Sequence, residues 1–192
     1  MINVEFFLEE QSAKEMLEGF LPRIFPEQNL EFEYNVFQGK QDLQKHLPRM
    51  LLGLNRYRGS NTHFIVLLDQ DSNDCRKLKA KIRRMCNEAG CPDVLIRIIC
   101  RELESWYLAD LRAVEIGLGI PGLARRYQEK RIYRNPDAQY GPDEKLSKLT
   151  KGAYTKVRGS RKIGPHLDPE NNRSPSFRNF ITGIRHIAGT QR

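Results

Sequence analysis

Residues 64–71, Phe-Ile-Val-Leu-Leu-Asp-Gln-Asp, constrain the chain more than any other stretch. Ile65 to Leu68 run apolar without a break and stop abruptly in acid. A run that short fits a strand buried on both faces, as inside a parallel sheet. Asp69 and Asp71 follow two residues apart, and in extended chain residues i and i+2 point the same way. Both carboxylates can then reach one point beyond the carboxyl end of a central strand, where open α/β sheets place ligands. Two hard oxygen donors there suit Mg²⁺ or Mn²⁺. The competing structural explanation is an acidic turn that caps the next helix.

The flanking sequence supplies the rest of a sheet. Asn3 to Glu9 alternates apolar residues and ends in Glu9-Glu10. Ser12-Ala-Lys-Glu15 has the form of a capping box, and Ala13, Met16, Leu17, Phe20, Leu21 and Ile24 follow at helical spacing, interrupted at Pro22. Leu30 to Val36 alternates as a half-exposed strand suited to a sheet edge. After a turn at Phe37-Gln-Gly-Lys40, Asp42 is the expected cap of a helix carrying Leu43, Leu47, Met50, Leu51 and Leu54. Asn55 to Asn61, with Arg56 and Arg58, reads as a loop. Asp74 caps a helix with Leu78, Ile82 and Cys86 on its buried stripe and Arg76, Lys77, Lys79, Lys81, Arg83 and Arg84 elsewhere. Such a run of charge is ordinarily a solvated face.

Val94 to Ile99 is a fourth strand, running into Arg101-Glu-Leu-Glu-Ser-Trp-Tyr107. Leu103, Trp106, Tyr107, Leu111, Val114 and Leu118 keep helical spacing, which predicts one helix from near Glu102 or Glu104. If Glu102 and Glu104 are extended they share a side; in a helix they diverge by about 200°. Trp106 reads as core, Asp110 as buried and paired, and His166 as an ordinary histidine rather than a catalytic base.

Strand and helix alternate four times, which predicts an α/β fold: a mostly parallel four-stranded sheet with helices on both faces. Gly117 to Gly122, with Pro121, marks a change of character. The expected division is an α/β core over residues 1–120 and a basic, mainly helical extension over 121–192, packed on it. Residues 1–122 hold 16 Lys and Arg against 18 Asp and Glu, and residues 123–192 hold 16 against 6. An acidic half followed by a basic half fits an enzyme acting on a polyanion. Arg158-Gly-Ser-Arg-Lys-Ile163 is the densest basic loop, so Arg158, Arg161 and Lys162, with Lys40, are the candidate nucleic-acid contacts. No run approaches the length of a membrane span, and no basic-then-apolar leader is evident, so the expected location is cytoplasmic. Cys75, Cys86, Cys91 and Cys100 form no C-x-x-C pair and read as reduced thiols.

Three acidic clusters, Glu9/Glu10, Asp69/Asp71 and Glu102/Glu104, thus end three expected strands. Gathered carboxylates repel unless cations neutralise them, which points to a divalent-metal site and metal-assisted phosphoryl transfer. A strand ending in Glu, a helix and a later strand ending in Asp-x-Asp resembles the Toprim arrangement of topoisomerases, primases and overcoming-lysogenization-defect (OLD) nucleases. Leu8-Glu9 would be its first motif and Asp69-Gln-Asp71 its second. The Gly usual after the first Glu is Glu10 here, so the strand-end position of Glu9 is what favours it over Glu10.

More closely, Phe7-Leu-Glu-Glu-Gln-Ser12, Phe37-Gln-Gly-Lys-Gln-Asp42, Leu68-Asp-Gln-Asp-Ser-Asn-Asp-Cys75, Arg101 to Tyr107 and Asn172-Arg-Ser-Pro-Ser-Phe177 resemble the bacterial domain of unknown function 4276, regarded as Toprim-like. The resemblance implies a Mg²⁺-dependent nuclease on DNA or RNA. Glu9, Asp69, Asp71 and Glu104 would be catalytic, and those four with Glu102 would be metal ligands. It also implies a partner ATPase of ABC or AAA type and a role in phage defence. A homo-oligomer is a further arrangement open to it. The chain has no G-x-x-x-x-G-K-[ST] of its own. The alternative is a non-catalytic Toprim-like module that binds nucleic acid or docks on a partner.

Overall fold

The computed structural model describes residues 1–26, 29–57 and 61–189. Four strands, β1 (Ile2–Leu8), β2 (Leu30–Val36), β3 (Thr62–Asp69) and β4 (Leu95–Ile99), form one parallel sheet in the order β2-β1-β3-β4. The two central strands are the most apolar, since both their faces are covered: Val4 to Leu8 and Phe64 to Leu68 are buried. β2 lies at an edge and is only half-buried.

Alternation along the strands sorts side chains into two cores. Val4, Phe6, Leu8, Ile65 and Leu67 face one side and pack with α1 (Gln11–Ile24). Phe7, Phe64, Val66 and Leu68 face the other, against α2 (Lys40–Tyr57) and α3 (Cys75–Glu88). The helix after β1 and the helix after β3 therefore lie on opposite faces. That reversal makes the gap between the carboxyl ends of β1 and β3 the topological switch point, where open α/β sheets form a crevice.

The remaining helices are α4 (Glu104–Leu108), α5 (Leu111–Leu118), α6 (Leu123–Tyr127), α7 (Pro142–Leu149), α8 (Lys156–Ile163) and α9 (Pro175–Ile187). They join the α1 side: Phe177, Phe180 and Ile184 enter the same core as Phe6 and Met16. Trp106 is fully buried there, its ring 5.0 Å from Phe177 and its indole N–H donating to Ser176 Oγ at 2.9 Å. The Asn172 to Phe177 segment is an architectural tie. Asn172 donates to the Trp106 carbonyl, Ser174 caps α9, and Asp137 accepts from Ser174 Oγ and the Ser176 amide.

Several local expectations are corrected. The Ser12/Glu15 capping box does not form, because α1 starts earlier: Glu10 is the cap residue and Ser12 lies inside the helix. Glu15 is buried and bonded instead by Gln11 and Arg161. Asp42 is in the first turn of α2 rather than its cap and accepts from the Gln38 amide, so Lys40 opens the helix instead of sitting in a loop. α2 runs on to Tyr57, and the Arg58 end of the expected loop lies outside the described residues. The single helix expected from near Glu102 or Glu104 to Leu118 is two, the first starting at Glu104, and the break falls where Asp110 caps α5 by accepting from the Ala113 amide. The basic loop at 158–163 is helix α8. The four cysteines are free, and burial pushes the Cys86 and Cys100 thiols up to about 11.

Candidate functional site

Glu9 follows β1 directly and Asp69 ends β3, and the two strands are hydrogen-bonded neighbours. Parallel register therefore sets them side by side. The Glu9 carboxylate accepts from the Asp69 amide at 3.1 Å, and the Glu9 carbonyl accepts from the Gly39 amide at 3.0 Å. Glu9 is buried, 8% exposed, and burial raises its pKa against the opposing pull of Lys40 and the Asp69 amide.

Asp71 has left the strand. Its backbone is left-handed, φ 52°, and its amide donates to the Arg101 carbonyl at 2.7 Å. Arg101 is left-handed too, φ 64°, with its amide directed to Gln70 Oε1. The loops after β3 and β4 are thus tied together at the carboxyl edge. A non-glycine residue in this region costs of order 1 kcal/mol or more, and such positions cluster at functional sites.

Asp69 sits amid acid. Burial raises its pKa most, and Glu104, Glu9, Glu10 and Asp71 raise it further, in that order. Glu104, 1% exposed, accepts from the Tyr154 hydroxyl at 2.6 Å through one oxygen, while its other oxygen is buried with no hydrogen-bond partner. Burial lifts its pKa to about 7, with Tyr154 and Lys156 opposing. Glu102 points elsewhere, accepting from the Asp143 amide at 3.2 Å, so of this pair Glu104 is the one beside Asp69.

Two cations balance the cluster. Lys40 lies 2.5 Å from Asp71 Oδ2 and 3.9 Å from Glu9 Oε2. Lys156, 3.4 Å from Glu10, is half-buried; burial opposes its charge, but Glu104, Glu10, Asp69 and Asp143 outweigh it and hold its pKa up. The structure does not bring the other expected cations here. Arg161 forms a two-pronged pair with buried Glu15, which holds that carboxyl down at about 2. Arg158 and Lys162 lie exposed on α8, and His166 is exposed in a short 3₁₀ turn beyond it.

Lys156 and Tyr154 are the participants that the sequence did not reveal. Both lie far along the chain from the strands, and no local pattern marks them. A small recess lined by Glu9, Glu10, Ser12 and Asp69 opens at this edge. The larger concavities include one bounded by Cys75, Arg97, Cys100 and Asn179, with none of these carboxylates in its wall.

Residues 8–185 match the family described as Domain of unknown function (DUF4276). The chain belongs to that family. No curated protein and no solved structure matches it. The match spans all four strand ends of this DUF4276 chain and nearly all of the helical part.

As a donor set, Glu9, Asp69, Asp71 and Glu104 offer only hard oxygens, which suits Mg²⁺ or Mn²⁺ over softer metals. The bare Glu104 oxygen and the mutual repulsion at Asp69 are both features that a bound cation would relieve. Their present spacing is more open. Among the described residues no three acidic, His or Cys side chains form a ready metal-binding group, and the Lys40 ammonium takes the place between Glu9 and Asp71. The set fits such a metal in chemistry, once Lys40 is drawn aside.

Proposed function

We propose that this DUF4276 chain is a divalent-metal-dependent phosphodiesterase of Toprim-like type, a nuclease acting on DNA or RNA. The observation that carries the reading is the meeting of Glu9 and Asp69 at the carboxyl edge of two adjacent parallel strands, with Asp71 and Glu104 beside them. Bound Mg²⁺ or Mn²⁺ would supply an activated water and offset charge on the scissile phosphate.

The chain's own residues do the rest. Asp69 and Asp71 would be the main ligands, with Glu9, whose carboxylate is held by the Asp69 amide, as a third. Glu104, with a pKa near neutrality and Tyr154 on one oxygen, can keep or release a proton at the other. Lys40 would exchange Asp71 for a phosphate oxygen, and Lys156 would offset the charge of Glu10, Glu104 and Asp69. Lacking a P-loop, a DUF4276 chain that works with ATP would draw it from a partner ATPase, a pairing in keeping with phage defence.

Lys40 also favours a second reading. An ammonium already paired with Glu9 and Asp71 can neutralise them permanently, leaving a non-catalytic module that binds nucleic acid or docks on a partner. Cleavage of supercoiled plasmid, linear duplex, single-stranded DNA and tRNA in Mg²⁺, Mn²⁺ and EDTA separates the two. The nuclease reading expects metal-dependent cutting that Asp69→Asn/Asp71→Asn lowers by about 100-fold or more. Cutting equal in both proteins, or none on any substrate, leaves the non-catalytic module. Lys40→Ala adds a second readout: with its competitor gone, Mn²⁺ raises the melting temperature of the variant more than that of the wild type.

A further inference from the structure

We infer that the polyanion is held by the α2–α3 face of the sheet, with nucleic-acid backbone lying along these two helices, and not by the basic C-terminal third. The inference takes its substrate class from the nuclease reading, but the surface and its test do not depend on catalysis.

The two helices together carry ten Lys and Arg against two Asp and Glu, Asp42 and Glu88. On α3 the apolar stripe of Leu78, Ile82 and Cys86 is buried against the sheet, and every basic residue falls on the remaining arc. Lys45 and Arg49 on α2, and Arg76, Lys77 and Lys79 on α3, are exposed and make no ion pair among the described residues. A helix face that serves only to be solvated ordinarily mixes signs and pairs them at i and i+4. Here α3 has one such pair, Arg84 with Glu88, at 4.0 Å. Lys81 reaches across to Gln44 at 2.5 Å, joining the two helices into one surface.

The place of this surface selects nucleic acid over other acidic partners. In a parallel sheet each crossover helix begins at the carboxyl edge, so α2 and α3 both start at the rim of the site. Lys40, the first residue of α2, already touches Asp71, and Asp74, the cap of α3, is three residues beyond it. From there α3 runs back for about 21 Å, or about six base-pair steps of duplex. A backbone lying on this face therefore has phosphates leading directly to the carboxylates. The positive ends of both helix dipoles point to the same rim. A membrane surface is a poor fit, because an interfacial helix offers an apolar face and the apolar stripe of α3 is spent on the core.

The test is fluorescence anisotropy of short labelled single-stranded DNA, duplex DNA and RNA over a range of KCl, in EDTA so that nothing is cut. Arg76→Glu/Lys77→Glu/Lys79→Glu should weaken binding at least tenfold. Neutralising the same residues to Gln should lower the slope of log affinity against log salt by about 2 to 3, near 1 per lost phosphate contact. Lys45→Glu/Arg49→Glu should weaken it several-fold. Arg158→Glu/Lys162→Glu on α8 should change it less than threefold. The milder Gln set also gives the answer if charge reversal harms folding, which circular dichroism reports. The inference is overturned if the wild type binds none of the three probes at low salt. It is equally overturned if the α3 variants bind like the wild type, or if the α8 pair carries the loss. Binding that depends on α3 with no cleavage of any substrate would keep this surface and remove the nuclease; cleavage that ignores α3 would do the reverse.

Discussion

Glu104 shows how a single residue couples fold and site. Its carboxyl is buried beside Asp69 with one hydrogen-bonded oxygen and one bare one, and burial carries its pKa from 4.5 to about 7. The folded state therefore holds a proton that the unfolded chain has already lost. The stability this confers is full below pH 4.5 and is lost as pH rises through about 7, roughly 3 kcal/mol in all. Glu104→Gln keeps the shape and an acceptor for Tyr154 but cannot ionise. In EDTA, urea melts of Glu104→Gln should match the wild type near pH 4.5 and exceed it by about 1–3 kcal/mol at pH 8. A variant equal to the wild type at pH 8 would mean that the wild-type carboxylate is ionised there without cost. Local sequence placed two acids beyond the fourth strand and favoured Glu104 as the catalytic one, but kept Glu102 beside it as a candidate ligand. The short helix beginning at Glu104 separated them.

Among elements, one close approach is where α8 crosses the α1 and α5 layer. A Cβ on Gly117 would lie 2.5 Å from the Lys162 carbonyl oxygen, a backbone atom that cannot swing aside. Gly117→Ala should force α5 and α8 apart and cost about 1–3 kcal/mol in a denaturant melt. A Cβ on Gly53, also inside a helix, would meet nothing within 4 Å, and the backbone there has no unusual φ. Gly53→Ala should stabilise by about 0.5–1 kcal/mol by removing backbone entropy from the unfolded chain. Opposite signs from two Gly-to-Ala changes would locate the constraint in the helix crossing and not in helix propensity. Helical periodicity identified most of these elements. It missed the break at Asp110, because the apolar spacing of Leu103 to Leu118 continues across it while the Asp110 side chain caps a new helix. It also missed α8, whose glycine and four basic residues resemble a loop until Gly159, Ser160 and Ile163 are seen to be its packed face.

For the whole molecule, one core joins the early and late parts of the chain. Phe6, Met16, Trp106, Phe177 and Phe180 belong to a single buried cluster. A fragment ending at Gly122 would expose the apolar sides of α1, α4 and α5. It should retain helical far-UV signal, bind a hydrophobic dye and lose cooperative melting; a cooperative melt from that fragment would show that the late helices are dispensable to folding. Charge is also organised at this scale. By sequence the first 122 residues are nearly balanced, which conceals a basic layer: α2 and α3 are strongly positive, and the acids that offset them are distributed among the strand ends, β2 and the α1 side. The described helices include none long and apolar enough to cross a membrane.

Sequence alone determined what depends on short-range periodicity and on the geometry of parallel strands. The four-strand α/β alternation, the edge position of β2 and the acids at three strand ends follow from residues within a few positions of one another. Parallel pairing then carries strand ends to one edge without further information. The tertiary structure decided which charges meet there. Tyr154 reaches Glu104 across 50 positions and Lys156 reaches Glu10 across 146, and Arg161 is drawn away to Glu15. Such approaches are set by how helices pack on the sheet, and packing is settled by volume and buried area over the whole core, to which linear spacing gives no direct access.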